Sequence, residues 1–344
     1  MTRLLLEASA ARRPGNDRGI GRYLAAVRAA NTDLGHEVTE IAYDMGDGRL
    51  SELWAVPPRQ VDLLRRDYDV FHAPTPYYMG WVPRSRRRVV SILDVIPLEV
   101  QGHAKTGAKA RLFHHWAATS DCVLTLSQHA AGRITALLGV PATRVVVAPL
   151  PPAADFTADG PTAGGLPSRY VAALADLRTP DPRKRVHWLT SIAERLAHTG
   201  ISVVVAGNGT KDLASPWLVG VGRVDDARWA AILRGAELLV YTSAYEGQGM
   251  PPLESLACDT PVVAMDNSAV PEVVGRAGVL VPEATTDGAS CRALAAACES
   301  VLQDPSRVER LRDACAEQAG TFTRQRFVNA LGAAYTPHRQ QARP

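Results

Sequence analysis

The feature that most constrains this chain is a pattern that runs, stops and restarts. Short apolar runs alternate with longer amphipathic stretches: a run at 4–7, a helical period over 20–34, then runs at 37–43, 70–72, 89–93, 122–126 and 145–148. Strands buried on both faces read as continuous apolar runs, and parallel neighbours need a crossover of a dozen or more residues. Residues 149–168, PLPPAADFTADGPTAGGLPS, interrupt this order with proline, glycine and small polar residues. It then resumes with runs at 170–174, 202–206, 238–241, 261–264 and 279–281, helical periods over 185–198 and 227–234, a further segment at 254–257, and long helices from 289 onward.

Two repeats of β-then-α order, broken once, predict two Rossmann-like α/β domains facing across a cleft, with ligands at the carboxyl ends of the strands. The length of 344 residues fits two cores of ordinary size, and 46% hydrophobic against 21% charged residues suits a folded chain. The expected division is 1–157, 158–323, and a helix and tail over 324–344 that could cap either half or cross back to the first.

Charge and cysteine usage narrow the partners. A formal charge of +3 is too small to argue for nucleic acid. Arg84, Arg86, Arg87 and Arg88 are read as a solvated edge before a buried strand, ahead of a membrane or acceptor-phosphate patch. Five cysteines, Cys122, Cys258, Cys291, Cys298 and Cys315, form no C-x-x-C pair, and are expected as reduced structural thiols. Asp67 and Asp69 have the spacing of a metal-binding pair but are read as a solvated turn, so no metal and no cofactor are expected. No apolar run reaches membrane-spanning length and no leader pattern opens the chain. The expectation is a cytoplasmic protein, with peripheral contact at the inner face of the membrane left open.

Four segments carry candidate chemistry. In Tyr241-Thr-Ser-Ala-Tyr-Glu246-Gly247-Gln248-Gly249-Met250-Pro-Pro-Leu-Glu254, two carboxylates flank a strand end that becomes a glycine loop and then a helix. Backbone N–H groups at such a helix start can face an anion, and a carboxylate can accept from a vicinal diol. In Arg178-Thr-Pro-Asp-Pro-Arg183-Lys184-Arg185, cations open a helix and so oppose its dipole, which calls for an anion. Lys184 is one of only four lysines among 38 basic residues. Asp17-Arg18-Gly19-Ile20-Gly21-Arg22-Tyr23 supplies glycines after the first strand, and Asp94 closes the run at 89–93.

The stretch from Gly220 to Val281 resembles the donor-binding half of family-4 retaining glycosyltransferases of the GT-B architecture, whose acidic pair has this spacing. The resemblance implies that Glu254 holds the ribose of a nucleotide diphosphate sugar. It implies that Glu246, with the amides of Gly247, Gln248, Gly249 and Met250, holds the sugar. Arg178 and Lys184 then neutralise the leaving diphosphate, with Arg183 beside them, while Gly19 and Gly21 face the diphosphate. Arg223 and Val224 would close the nucleobase site, and Asp225 or Asp226 would cap the next helix. Gln248 departs from the phenylalanine usual in the family.

In many relatives a histidine stands where this chain has Leu93, next to Asp94, and reaches the C6 substituent of the sugar. Leu93 cannot hydrogen-bond, which implies a donor lacking a 6-hydroxyl, or a contact supplied elsewhere. Asp94 is the candidate to orient the acceptor, unless it is a helix cap. His72 and Ser127 are expected to be structural. Tyr77, Tyr78, Trp81, Phe113, His114, His115 and Trp116 either line an acceptor site or fill a core.

The expected function is metal-independent, retaining transfer of a hexosyl or deoxyhexosyl group to a hydroxyl or amine of a glycan, lipid-linked glycan or small metabolite, in carbohydrate biosynthesis. The alternatives are a nucleotide-sugar epimerase on the same fold and a catalytically silent nucleotide-sugar binding partner of another transferase.

Overall fold

The computed structural model describes residues 2–9, 19–42, 61–78, 85–100, 107–179 and 181–337. Asp17, Arg18, Trp81 and Arg84, named above, lie outside the described residues. The chain forms two compact units, Met1–Pro151 with Thr323–Pro344, and Pro152–Phe322.

The first unit is a six-stranded sheet of β1 (Arg3–Glu7), β2 (Glu37–Ile41), β3 (Tyr68–Ala73), β4 (Ser85–Ser91), β5 (Cys122–Thr125) and β6 (Val145–Val147). Its order is β2-β1-β3-β4-β5-β6 and every pair is parallel. Leu4, Leu5 and Leu6 are all fully buried, so both faces of β1 are covered, which is why the strand reads as an unbroken apolar run. Helix α1 (Ile20–Asp33) starts at Gly19, whose φ of 60° belongs to the left-handed region. Helix α2 (Gln128–Leu138) is capped by Ser127, whose hydroxyl accepts the Ala130 N–H at 3.1 Å.

The second unit carries β7 (Tyr170–Leu174), β8 (Ser202–Ala206), β9 (Ala214–Ser215), β10 (Leu218–Gly222), β11 (Leu238–Tyr241), β12 (Val262–Met265) and β13 (Gly278–Val281). The order is β13-β12-β11-β7-β8-β10-β9, parallel except for the short β9. Its crossovers include α3 (Trp188–Leu196), α4 (Asp226–Gly235) and α5 (Met250–Ala257), and α6 (Asp287–Leu302) follows the last strand. Two apolar clusters cover the two faces of this sheet, one around Trp229, Leu253 and Leu256, the other around Trp188, Leu294 and Val301.

Helix α7 (Arg324–Tyr335) belongs to the first unit. Arg324 grips Asp33 through two hydrogen bonds of 2.8 and 2.9 Å, and the Tyr335 hydroxyl bonds His72 Nδ1 at 2.8 Å. On its other side, His72 Nε2 bonds Ser91 Oγ at 2.8 Å, which also meets the Tyr23 hydroxyl at 2.6 Å. Burial drives the His72 pKa down to about 3, so the ring is neutral.

Three expectations change. Arg86, Arg87 and Arg88 are not an edge before the strand but part of β4. Arg87 is buried and donates Nε to the Ala334 carbonyl at 2.6 Å, anchoring α7. The helical period over 185–198 begins at Trp188, because Arg185 takes a left-handed φ of 48° that no helix continues through. Finally, β10 was not anticipated, since its glycines obscure the apolar run. Gly220 is required there: a Cβ would lie 1.6 Å from the Thr210 carbonyl oxygen.

Candidate functional site

In an open parallel sheet, the loops leaving two neighbouring strands diverge to opposite faces where the strand order reverses, and ligands bind in that crevice. In the second unit this switch point lies between β7 and β11, which are hydrogen-bonded neighbours. The loop after β7 carries Arg178 to Arg185, and the loop after β11 carries Glu246 to Gly249. Both candidate motifs therefore emerge side by side.

The β7 loop folds back through a 3-10 turn over Pro182–Lys184, capped by Asp181, whose carboxylate accepts the Arg183 N–H at 3.0 Å. It is stitched to the β11 loop by backbone and side chain: the Ala244 N–H donates to the Arg183 carbonyl at 2.8 Å, and the Thr242 hydroxyl to the Lys184 carbonyl at 2.6 Å. The first strand-to-helix turn is thus held against the loop that bears Glu246.

On this frame four side chains converge. Lys184 Nζ pairs with Glu246 Oε1. Arg183 Nη1 sits 3.1 Å from Glu246 Oε2 and also donates to the Tyr245 carbonyl. The Tyr241 hydroxyl donates to Glu246 Oε1 at 2.6 Å, and Lys184 Nζ lies 3.4 Å from that hydroxyl. Burial alone would raise the Glu246 pKa, but the charges of Lys184 and Arg183 outweigh it and hold it at about 2. Burial, reinforced by the neighbouring carboxylate, pushes the Tyr241 phenol well above its ordinary value, so it stays a donor.

The loop then enters α5 through Gly249, whose φ of 97° glycine adopts at little cost and L side chains rarely do, and prolines at 251 and 252 occupy the first turn. Glu254, a little over one turn in, is buried and receives the Trp229 indole N–H from α4 at 3.1 Å. Gln248 is buried too, and Gly247 and Met250 are partly covered.

Three further candidates, Arg178, Arg223 and Val224, belong to the second unit. Arg178 is 73% exposed and pairs with Asp212 at 3.3 Å rather than with Glu246. Its stem lies close to Gly209, where a Cβ would meet it at 3.3 Å. Arg223 is exposed, Val224 packs on the core, and Asp225 caps α4 by accepting the Arg228 N–H at 2.8 Å. In the first unit, Gly19 and Gly21 open α1, Leu93 is half-buried, and Asp94 accepts the Ile96 N–H at 3.0 Å. Asp69 accepts the Arg3 N–H at 2.9 Å. Phe113 and His114 are buried, with the Tyr77 ring 5.6 and 5.9 Å from theirs, while Trp116 is 36% exposed. All five cysteines are free and buried. Among the described residues, no helix is long and apolar enough to cross a membrane.

Sequence reasoning missed two contributors. Tyr241 was visible only as the end of a strand, and Ser268, whose Oγ accepts the Glu246 N–H at 2.9 Å, comes from the loop after β12. Nothing local marks Ser268, which meets Glu246 across 22 positions, whereas Tyr241 acts on a residue only five positions on.

Residues 168–304 match the family described as glycosyl transferases group 1. The chain is 27% identical to O-antigen chain mannosyltransferase B of Escherichia coli over 279 residues, 73% of this chain and 70% of that protein. It is 30% identical over 215 residues to a Mycobacterium tuberculosis glycogen synthase, 56% of this chain and 48% of that protein, so it spans about half of the synthase. Among solved structures, sucrose-phosphate synthase from Thermosynechococcus elongatus superposes with a TM-score of 0.74 at 17% identity, covering 97% of this chain and 98% of that one. HepE from Anabaena, solved in complex with UDP and glucose, gives 0.66 at 17%, covering 97% and 98%. The fold is the GT-B one: two parallel-sheet, Rossmann-like α/β units.

Proposed function

We propose that this chain, whose second unit carries a group 1 glycosyltransferase domain, is a retaining, metal-independent glycosyltransferase of family-4 type using a nucleotide diphosphate sugar. The observation that carries this reading is the meeting of Lys184, Arg183 and Tyr241 on Glu246 at the strand-order switch of the second unit. Supporting it, the Escherichia coli relative is a mannosyltransferase, and the similar Anabaena structure holds UDP and glucose.

In the proposed reaction the bond between the anomeric carbon and a phosphate oxygen breaks, and the electron pair stays on the diphosphate. Lys184 and the amides of residues 247–250 meet that growing charge, with Arg183 behind them. Arg178 adds a second cation, since an ion pair as exposed as that with Asp212 is weak and readily exchanged. The acceptor oxygen bonds to the anomeric carbon on the face the diphosphate leaves, and its proton passes to the departing phosphate oxygen. No protein base is then needed. Glu246 holds sugar hydroxyls, Glu254 the ribose, and Arg223 and Val224 border the base. Gly19, Gly21 and Asp94 are proposed to serve the diphosphate and the acceptor, which is a glycan, lipid-linked glycan or small metabolite. Because leucine offers no hydrogen bond, Leu93 goes with a donor lacking a 6-hydroxyl.

The deciding experiment is a panel of UDP-, GDP-, TDP- and ADP-sugars, with nucleoside diphosphate release and glycosylated product both measured. Transfer by the wild type, with loss in Glu246→Gln, supports the reading. Wild-type turnover in Glu246→Gln, or an epimerised donor formed without acceptor, overturns it. A 6-hydroxylated sugar outcompeting its 6-deoxy counterpart removes the Leu93 argument alone.

A further inference from the structure

Among the described residues, only Arg185, Asp259 and Ser268 are non-glycines with positive φ. A left-handed residue other than glycine, asparagine or aspartate is uncommon and persists where its surroundings over-determine it. Two of these three border the pair at the switch point. Arg185, at φ 48°, directly follows Lys184, and Ser268, also at φ 48°, accepts the Glu246 N–H at 2.9 Å.

The two are joined by one connected set of hydrogen bonds. Ser268 Oγ donates to Asn267 Oδ1 at 3.1 Å, spending its single proton there and its lone pair on Glu246. Asn267 Nδ2 donates to the Ser243 carbonyl at 3.1 Å and to Glu283 Oε1 at 2.9 Å. That same oxygen receives Arg185 Nη1 at 2.7 Å. Starting from Lys184, the path therefore runs through Arg185, Glu283, Asn267 and Ser268 to the backbone of Glu246. It bypasses the ion pair between Lys184 and Glu246.

We infer that Ser268 is a positioning residue for sugar transfer, the keystone of a brace with Asn267, Glu283 and Arg185 that keeps Glu246 registered to Lys184 when their ion pair opens. The inference rests on the reading of Glu246 and Lys184 as donor-binding groups. Its logic is geometric: a diphosphate that takes Lys184 removes one direct tie to Glu246, and the brace does not depend on that tie. Ser268 suits the task because its hydroxyl can accept and donate at once. Glycine would take the same φ without strain but would leave the Glu246 amide without this acceptor.

The test compares Ser268→Gly, Ser268→Ala and Ser268→Asn in the full chain, with whichever nucleotide sugar the wild type uses. Ser268→Gly relieves the backbone, so its melting temperature is expected to hold or rise while kcat falls about 10- to 100-fold and the donor KM moves little. Ser268→Ala loses both stability and kcat. Ser268→Asn, which tolerates this φ and offers an amide oxygen as acceptor, regains part of the rate. Hydrogen exchange at the Glu246 amide speeds up in the glycine and alanine variants. A Ser268→Gly enzyme with wild-type kcat, or with unchanged exchange at Glu246, overturns the inference. If the wild type transfers no sugar, the functional reading fails by itself, and a loss of exchange protection at Glu246 without any catalytic effect to position refutes the positioning role.

Discussion

Lys184 and Glu246 stand 62 positions apart in sequence, yet the lysine ammonium and the Tyr241 hydroxyl meet on the same carboxylate oxygen. In this arrangement the lysine is already neutralised by protein. An incoming diphosphate must compete for it, and Glu246 keeps Arg183 and Tyr241 as partners when it does.

Lys184→Ala is therefore expected to leave the fold intact and to lower kcat about 100- to 1000-fold, as for the loss of one donor to a developing anion. Steady-state kinetics against the donor checks this. The same variant leaves Glu246 with weaker opposition to its burial, so its pKa rises and the acid limb of the rate profile moves to higher pH.

Acid should weaken each unit through a different group. Glu246 has a folded pKa of about 2, below the roughly 4.3 of a free glutamate, so its contribution is complete above that value and is lost as pH falls towards 2. His72 has a folded pKa of about 3 against roughly 6.5 unfolded. Between those values only the unfolded chain takes up the proton, so stability falls as pH drops from 6.5 towards 3. The limiting slope is about 1.4 kcal/mol per pH unit. Urea unfolding of wild type and His72→Gln at pH 7 and 4.5 checks it: the variant should be weaker at pH 7 and less sensitive to pH.

Trp229→Phe removes the indole that donates to Glu254 and keeps an aromatic ring in the core. The expected cost is about 1–2 kcal/mol in urea unfolding. If Glu254 holds the ribose, calorimetry should also show weaker nucleoside diphosphate binding. Wild-type affinity would separate the buried hydrogen bond from ligand recognition.

Gly207→Ala should be among the most damaging single changes in the second unit. At φ 134° its Cβ would stand 1.7 Å from the Ala175 carbonyl oxygen, where the ends of β7 and β8 nearly touch. The obstacle is the Ala175 backbone rather than a flexible side chain, so a loss of at least about 3 kcal/mol, or failure to accumulate folded protein, is expected. Circular dichroism and urea titration suffice to measure it.

Much of the fold was legible because buried parallel strands write themselves as apolar runs. The runs at 170–174, 202–206 and 238–241 coincide with β7, β8 and β11. Where a strand carried other duties the pattern failed: β10 is glycine-rich to clear Thr210, and β4 carries Arg87 because that arginine anchors α7. The acidic and basic motifs were readable from their neighbours in sequence. Their mutual placement was not, since pairing Arg183 with Glu246 and Arg178 with Asp212 depends on which loops the sheet order makes adjacent.

The attachment of α7 has a consequence for how the protein is made. The second unit is one uninterrupted stretch, whereas the first needs residues 323 onward to complete it. On a translating ribosome, the later-encoded unit emerges whole and can fold while its earlier neighbour still waits for Tyr335 to reach His72. Without residues 323 onward Arg87 and His72 have no α7 to bind, so a chain truncated after Phe322 should leave the first unit incomplete while the second can still fold.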